Sequence, residues 1–499
     1  MQLASLLAIA AVCLATVSVG SLGLRMSRAT SDFYVAGRAI TPRRNASAIA
    51  GEYLSAASFL GVAGLIWQSG IDILWFPIGY TVGYLVLLVL IAAPLRRSGA
   101  YTLSDFTELR LESRALRAFA SLLIIGIGIL YVLPQVQGAG LALRQATGWP
   151  TWVGSAVVAV VVFLAVAAGG MRSITLVQAM QYWIKLTAIA IPAFVLLAIW
   201  SRGDVGSVDF GDWAIPSTDP VGLYTTYSTM LALCLGTMGL PHVLVRFYTN
   251  PDGRDARRTT VGVIGLLAVF YLFPPIYGAL GRLELPRLAP GSRLDTMALQ
   301  LPGAMTDGLL ATVLTAMLAG GAFAAFLSTT SGLIVSVAGV IDQDVLRPLI
   351  ARRSGEDARG AATYRLATAI AVLLPFVLSR LLDPLGLATT VTLAFAVAAS
   401  TFAPLLVLGV WWPRLTTVGA AAGLGVGTLC ALISLTGAFL RVDPGDGWLA
   451  ALIARPAAWT APLAFATMVI VSRLTPSRRP PHTNRTLNRL HTPESLLPP

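Results

Sequence analysis

The chain has 499 residues, of which 56% are hydrophobic and 12% charged, and its mean hydropathy is +0.76. About a quarter of an ordinary soluble domain is charged, so a soluble globular enzyme, a disordered chain and a disulfide scaffold are excluded, and one large polytopic domain in a lipid bilayer is expected. The net charge of +12 rests on 34 arginines and a single lysine, Lys185; no basic run is interleaved with aromatics, which sets nucleic acid aside and reads the arginines as loop residues that fix orientation.

Apolar runs long enough for a crossing of about 20 residues predict thirteen spans in chain order: 3–24, 46–68, 73–95, 118–144, 151–170, 174–200, 223–247, 259–281, 306–340, 362–382, 387–411, 416–440 and 456–472. The first lacks the basic start of a signal peptide and reads as a retained span. With the N-terminus outside, the inner segments hold 26 arginines and the outer ones 8, which supports an N-out, C-in chain in the cell membrane. The Pro- and Arg-rich tail, 473–499, is expected to be disordered. Cys13, Cys234 and Cys430 have no metal-ligand spacing and read as small buried side chains.

An ionisable group in the bilayer core costs several kcal/mol and is a functional candidate by default. On this assignment two are deep: Glu52 in the second span and Lys185 in the sixth. They either pair with each other, or Lys185 snorkels, or one or both line an ion or substrate path. In the second span Gly61 and Gly64 fit close helix packing. Gly51-Glu52, next to Ser55 and Ser58, instead points to a broken helix, whose unwound backbone frees carbonyls for a cation and N–H groups for an anion. The fourth span carries Tyr131, Gln135 and Gln137 around a kink at Pro134. In the sixth, Gln178 and Lys185 lie seven residues apart on one helix face.

The seventh span holds Gly236, Thr237, Met238, Gly239, Pro241 and His242, a second interruption. A lone histidine there is either a hydrogen-bonded structural residue or a proton relay. The half-helix N-termini expected to face a substrate anion lie near Ser55–Ser58 and Gly236–Met238. The ninth span, long enough to contain a break, carries four consecutive hydroxyls, Ser328, Thr329, Thr330 and Ser331. They either bond the preceding turn, or Ser328 and Thr329 join the Ala325 carbonyl and two broken-helix carbonyls around a hard cation. An amine near that position, such as Lys185, would put the coupling on protons instead. An enzyme is set aside by inventory, since His242 is the only histidine before the tail.

The two interrupted spans are five apart and start on opposite sides of the membrane. The chain thus reads as an all-α polytopic protein with a five-plus-five inverted-repeat (LeuT-type) core: a flanking helix at 1–24, repeats at 46–200 and 223–411, two flanking helices at 416–472, and the tail.

At these residues the chain resembles the sodium:solute symporter family, and within it the cation/acetate (monocarboxylate) symporters. The stretches that carry the resemblance are Ser31–Arg38, Ala50–Gly61, Gly169–Arg172, Gly239–Phe247 and Phe326–Gly332. The resemblance implies import of a short monocarboxylate such as acetate, propionate or pyruvate by alternating access, with sodium as coupling ion and no other cofactor. It implies a sodium site at the carbonyls of Gly51, Leu54 and Ala325 and the hydroxyls of Ser328 and Thr329. Candidates for substrate or coupling are Glu52, Ser55, Ser58, Tyr131, Gln135, Gln178, Lys185, Thr237, Met238 and His242. Ser58 stands where the sugar branch has glutamine, Gln178 where sugar and proline carriers have aspartate, and Glu52 where the acetate branch usually has aspartate. The alternatives are proton-coupled monocarboxylate import and sodium symport of another small solute such as proline.

Overall fold

The computed structural model describes residues 2–21, 35–203, 211–285, 293–354, 360–382, 385–440 and 447–496, and every regular element among them is helical. The start of the Ser31–Arg38 stretch, the end of the first expected span and the loop arginines Arg25, Arg28, Arg287, Arg359 and Arg441 lie outside the described residues. Several helices begin at a Thr, Ser or Asp whose side chain accepts an early N–H of the first turn: Thr102, Ser113, Asp219, Asp252 and Thr416.

Among the described residues ten helices are long and apolar enough to cross a bilayer, or eleven when the bent pair Pro220–Gly239 and Pro241–Thr249 counts as one span. The expected thirteen are not reached as separate long helices, for local reasons. The run at 46–68 forms in short pieces, Pro42–Tyr53, a wider turn at Ala57–Gly61, and Val62–Ser69. The runs at 151–170 and 174–200 join as Thr151–Trp200, 50 residues interrupted at Gly170 (φ 55°, ψ −146°). An unbroken helix of that length would be about 75 Å long, over twice the hydrocarbon thickness, so the chain turns at Gly170 in a backbone conformation that favours glycine.

Other expectations also change. The break expected within 306–340 is absent: Gly308–Val340 is continuous and widens only at Ile341–Leu346. The tail expected to be disordered carries a helix, Thr483–His491, because it has partners. Arg97 pairs with Glu494 at 3.3 Å, Glu494 accepts the Gly253 N–H at 2.8 Å, and His491 Nε2 lies 2.9 Å from the Val410 carbonyl. Arg110, fully buried, donates to the carbonyls of Gly409 (2.7 Å) and Trp412 (3.1 Å) and to Thr483 Oγ1 (3.4 Å). Burial, with Arg479 nearby, pulls its pKa down to about 10.

The helices that position the centre pack around Thr151–Trp200, which lies against Gly308–Val340, Pro42–Tyr53 and the N-terminal helix Gln2–Ser21. On the expected outer side, both carboxylate oxygens of Asp295 accept the N–H of Leu387, at 3.2 and 3.3 Å, at the start of the helix Leu387–Ser400. Burial pushes the Asp295 carboxyl up to about 6, against the helix-end N–H bond and Arg293.

Candidate functional site

The first broken helix runs from Pro42 to Tyr53 and stops at Leu54 (φ −72°, ψ 84°). The break therefore lies at Leu54–Ser55, three residues beyond the expected Gly51-Glu52. Gly51 is helical and serves packing: a Cβ there would meet the Gln178 carbonyl oxygen at 2.2 Å. At the break the Ala56 N–H donates to Gln135 Oε1 at 3.0 Å, so the fourth-span helix, Arg114–Thr147, meets the freed backbone. The second broken helix ends at Gly239 and resumes at Pro241, with a bend of 41°. Gly236, Thr237 and Met238 thus sit at the C-terminal end of the first half, and the new N-terminus starts at Pro241. That corrects the expectation that Gly236–Met238 is an N-terminus.

At the end of the first half-helix three of the five expected oxygens come together around an amine. Lys185 Nζ donates to the carbonyls of Gly51 and Leu54, the latter at 2.7 Å, and to Ser328 Oγ at 2.8 Å. Ser328 Oγ donates to the Ala325 carbonyl at 3.1 Å. Thr329 Oγ1 donates to the Glu52 carbonyl at 2.6 Å, tying the hydroxyl-bearing helix to the broken one. Neutral carbonyl and hydroxyl oxygens at a helix C-terminus are hard-cation chemistry, and in this arrangement an ammonium lies among them.

Glu52 and Lys185 are both buried, but Glu52 pairs with Arg246 at 2.6 Å. Arg246 donates as well to Thr175 Oγ1 at 2.8 Å and to Gln178 Oε1, while Gln178 Nε2 donates to the Ser328 carbonyl at 2.8 Å. Gly332 leaves the room that Glu52 occupies, since a Cβ there would lie 2.1 Å from its carboxyl. Arg246 is the residue that sequence reasoning missed. It stands at the end of the expected span 223–247, where an arginine reads as an orientation-fixing residue, yet it is fully buried. The available signal was the apolar Val243-Leu244-Val245 before it and Phe247 after it.

Between the two breaks lies a cluster of packed aromatic side chains. Tyr53 bonds Thr237 Oγ1 at 2.7 Å and Ser58 bonds Tyr271 at 2.8 Å. Tyr80 stacks on Tyr271, and Tyr53, Tyr80, Tyr84, Tyr131 and Phe395 contact one another edge-on or tilted. His242 packs on Tyr131 at 5.1 Å, and neither ring nitrogen has a hydrogen-bond partner among the described residues. The hydroxyls of Tyr80 and Tyr84 are likewise buried without a partner there. Ser55 and Met238 are buried at the same breaks. A groove of about 640 Å³ lined by Leu122, Leu130, Leu378, Leu432 and Leu435 lies elsewhere and is apolar.

Residues 33–427 match the sodium:solute symporter family. The chain is 30% identical over 457 residues to an uncharacterized symporter of Bacillus subtilis, covering 90% of this chain and 88% of that protein. It is 31% identical over 486 residues to a monocarboxylic acid transporter of Corynebacterium glutamicum, covering 89% and 86%. Its fold is similar to a Na+-coupled sialic acid symporter in a substrate-bound outward-open state, with a TM-score of 0.73, 16% identity, and coverage of 94% of this chain and 97% of that one. It is also similar to a nucleobase-cation-symport-1 family transporter in a closed conformation, with a TM-score of 0.57, 13% identity, and coverage of 93% and 99%.

Proposed function

This chain belongs to the sodium:solute symporter family, and on that premise we propose that it imports a short monocarboxylate, such as acetate, propionate or pyruvate, together with a cation by alternating access. It is a multi-pass membrane transporter and not an enzyme. The observation that carries the substrate reading is the buried aromatic cluster at the two helix breaks, within which neither ring nitrogen of His242 has a hydrogen-bond partner among the described residues. A buried polar group without a partner costs free energy unless a ligand satisfies it. An imidazole N–H, the Ser55 hydroxyl and the half-helix N-termini at Ala57 and Pro241 suit a carboxylate. The tight aromatic lining suits a short one, and the relative described as a monocarboxylic acid transporter supports the same class.

The oxygens of Gly51, Leu54, Ala325, Ser328 and Thr329 support one cation site, with sodium the cation for which the family is named. A five-helix repeat at 46–200 and another at 223–411 would supply one broken helix each. The arginine asymmetry supports an outer N-terminus and an inner C-terminus. One sodium carried with one carboxylate is electroneutral, so the membrane potential would not drive that stoichiometry. The test is uptake of labelled acetate into proteoliposomes, with sodium or choline outside. Unlabelled propionate and pyruvate are expected to compete and proline and glucose to leave uptake unchanged. Competition by proline with none by propionate overturns the substrate class.

A further inference from the structure

Lys185 reaches, fully buried, from the helix Thr151–Trp200 to the end of the half-helix Pro42–Tyr53. Its ammonium has three protons, and three oxygens take them: the carbonyls of Gly51 and Leu54 and the Ser328 hydroxyl. Ser328 directs its own proton to the Ala325 carbonyl, which leaves its lone pairs for the amine. Glu52, on the same half-helix, is bound to Arg246. The charge on Lys185 is therefore met by main-chain dipoles, at the helix end where partial negative charge collects.

These three oxygens belong to the five that the cation-site reading above assigns to the coupling ion. We infer that Lys185 places a tethered ammonium in the position of that ion, so that the Lys185 side chain and a sodium ion exclude one another there. The inference rests on those oxygens being the cation site, and it does not depend on the identity of the carried solute. Donor and acceptor counts match with the amine in place, and a sodium would need the same lone pairs. The formal charges of Glu52, Arg246 and Lys185 already leave the buried cluster with one positive charge. A sodium added beside the ammonium would put two like charges on one set of oxygens. Sodium enters only when Lys185 swings out, and Lys185 holds the break together whenever sodium is absent.

The experiment uses the purified full-length chain and sodium chloride as the probe, with choline chloride as control. Radioactive sodium binding and sodium-dependent thermal stabilisation are read without any organic solute. Lys185→Met, which keeps the length and removes the charge, is expected to bind sodium at least about ten-fold more tightly than the wild type, roughly 1.4 kcal/mol. Adding Ser328→Ala to that variant is expected to remove the gain. Equal or weaker sodium binding by Lys185→Met overturns the inference, and so does a gain that survives Ser328→Ala. If Lys185→Met does not fold, Lys185→Gln, which is also uncharged, is read in the same way: tighter sodium binding than the wild type that Ser328→Ala removes supports the inference, and equal or weaker binding overturns it. Absence of acetate uptake would reject the monocarboxylate reading and leave these binding results unaffected.

Discussion

At the scale of single residues, the buried charges divide by what they touch. Removing Arg246 leaves Glu52 as a buried, unpaired carboxylate, which typically costs about 3–5 kcal/mol. Arg246→Leu is therefore expected to lower the thermal midpoint of the detergent-solubilised protein sharply, and Glu52→Gln with Arg246→Gln to recover part of the loss. Equal midpoints for Arg246→Leu and the wild type would show that the pair carries no stability. His242 makes no hydrogen bond among the described residues, so His242→Phe sacrifices none. It is expected to keep the midpoint while acetate uptake falls at least about ten-fold, the scale of one lost hydrogen bond to a charged group; unchanged uptake would remove His242 from the site. Asp295 provides a pH prediction. Burial holds its folded carboxyl at about 6, above the ordinary aspartate value of 3.8, so the folded state holds its proton longer than the unfolded state. Stability from this group is greatest below pH 3.8 and falls by about 3 kcal/mol as pH rises through 6. Asp295→Asn keeps an acceptor for Leu387 and is expected to flatten that slope in a melting series. Glu52 and Lys185 were legible in the sequence because each interrupts an apolar run. Arg246 was not, because an arginine at a span end looks the same whether it meets water or a carboxylate.

At the scale of elements, the two broken helices were legible from local chemistry. Pro241 must start a helix, and a Gly- and Ser-rich stretch at mid-span weakens one. The first break lies beyond the position its glycine suggests because Gly51 serves a neighbour and not its own backbone. Gly51→Ala pushes a Cβ into the Gln178 carbonyl at 2.2 Å and is expected to cost about 1–3 kcal/mol by overpacking, read as a lower thermal midpoint; an unchanged midpoint would show that the two helices separate freely. The tail helix was hidden for a related reason. Its sequence is polar, and what orders it are bonds to Arg97, Arg110, Gly253 and Val410, far away in the chain. Truncation after residue 476 is expected to raise amide exchange in 92–112 and 402–412. Exchange identical to the full chain would show that the tail braces nothing.

At the scale of the whole molecule, hydropathy and the arginine distribution make the chain a polytopic membrane protein before any fold is known. Arg485→Cys, in a background without Cys13, Cys234 and Cys430, is expected to react with an impermeant maleimide in inside-out vesicles and to stay unlabelled in right-side-out ones. The reverse pattern would invert the orientation. By itself the sequence determined the bilayer setting, the all-helical class and the two interruptions, and it marked Ser328 and Thr329 as candidates for a cation site. These follow from local rules: runs of apolar residues, helix-breaking residues, and polar groups too costly to be idle in lipid. Only the tertiary structure decided which charge meets which. Lys185, Gly51, Leu54 and Ser328 come from three different helices, and so do Glu52, Gln178 and Arg246. Whether a buried ammonium faces a carboxylate or a ring of carbonyls depends on how those helices pack, and no spacing along the chain encodes it.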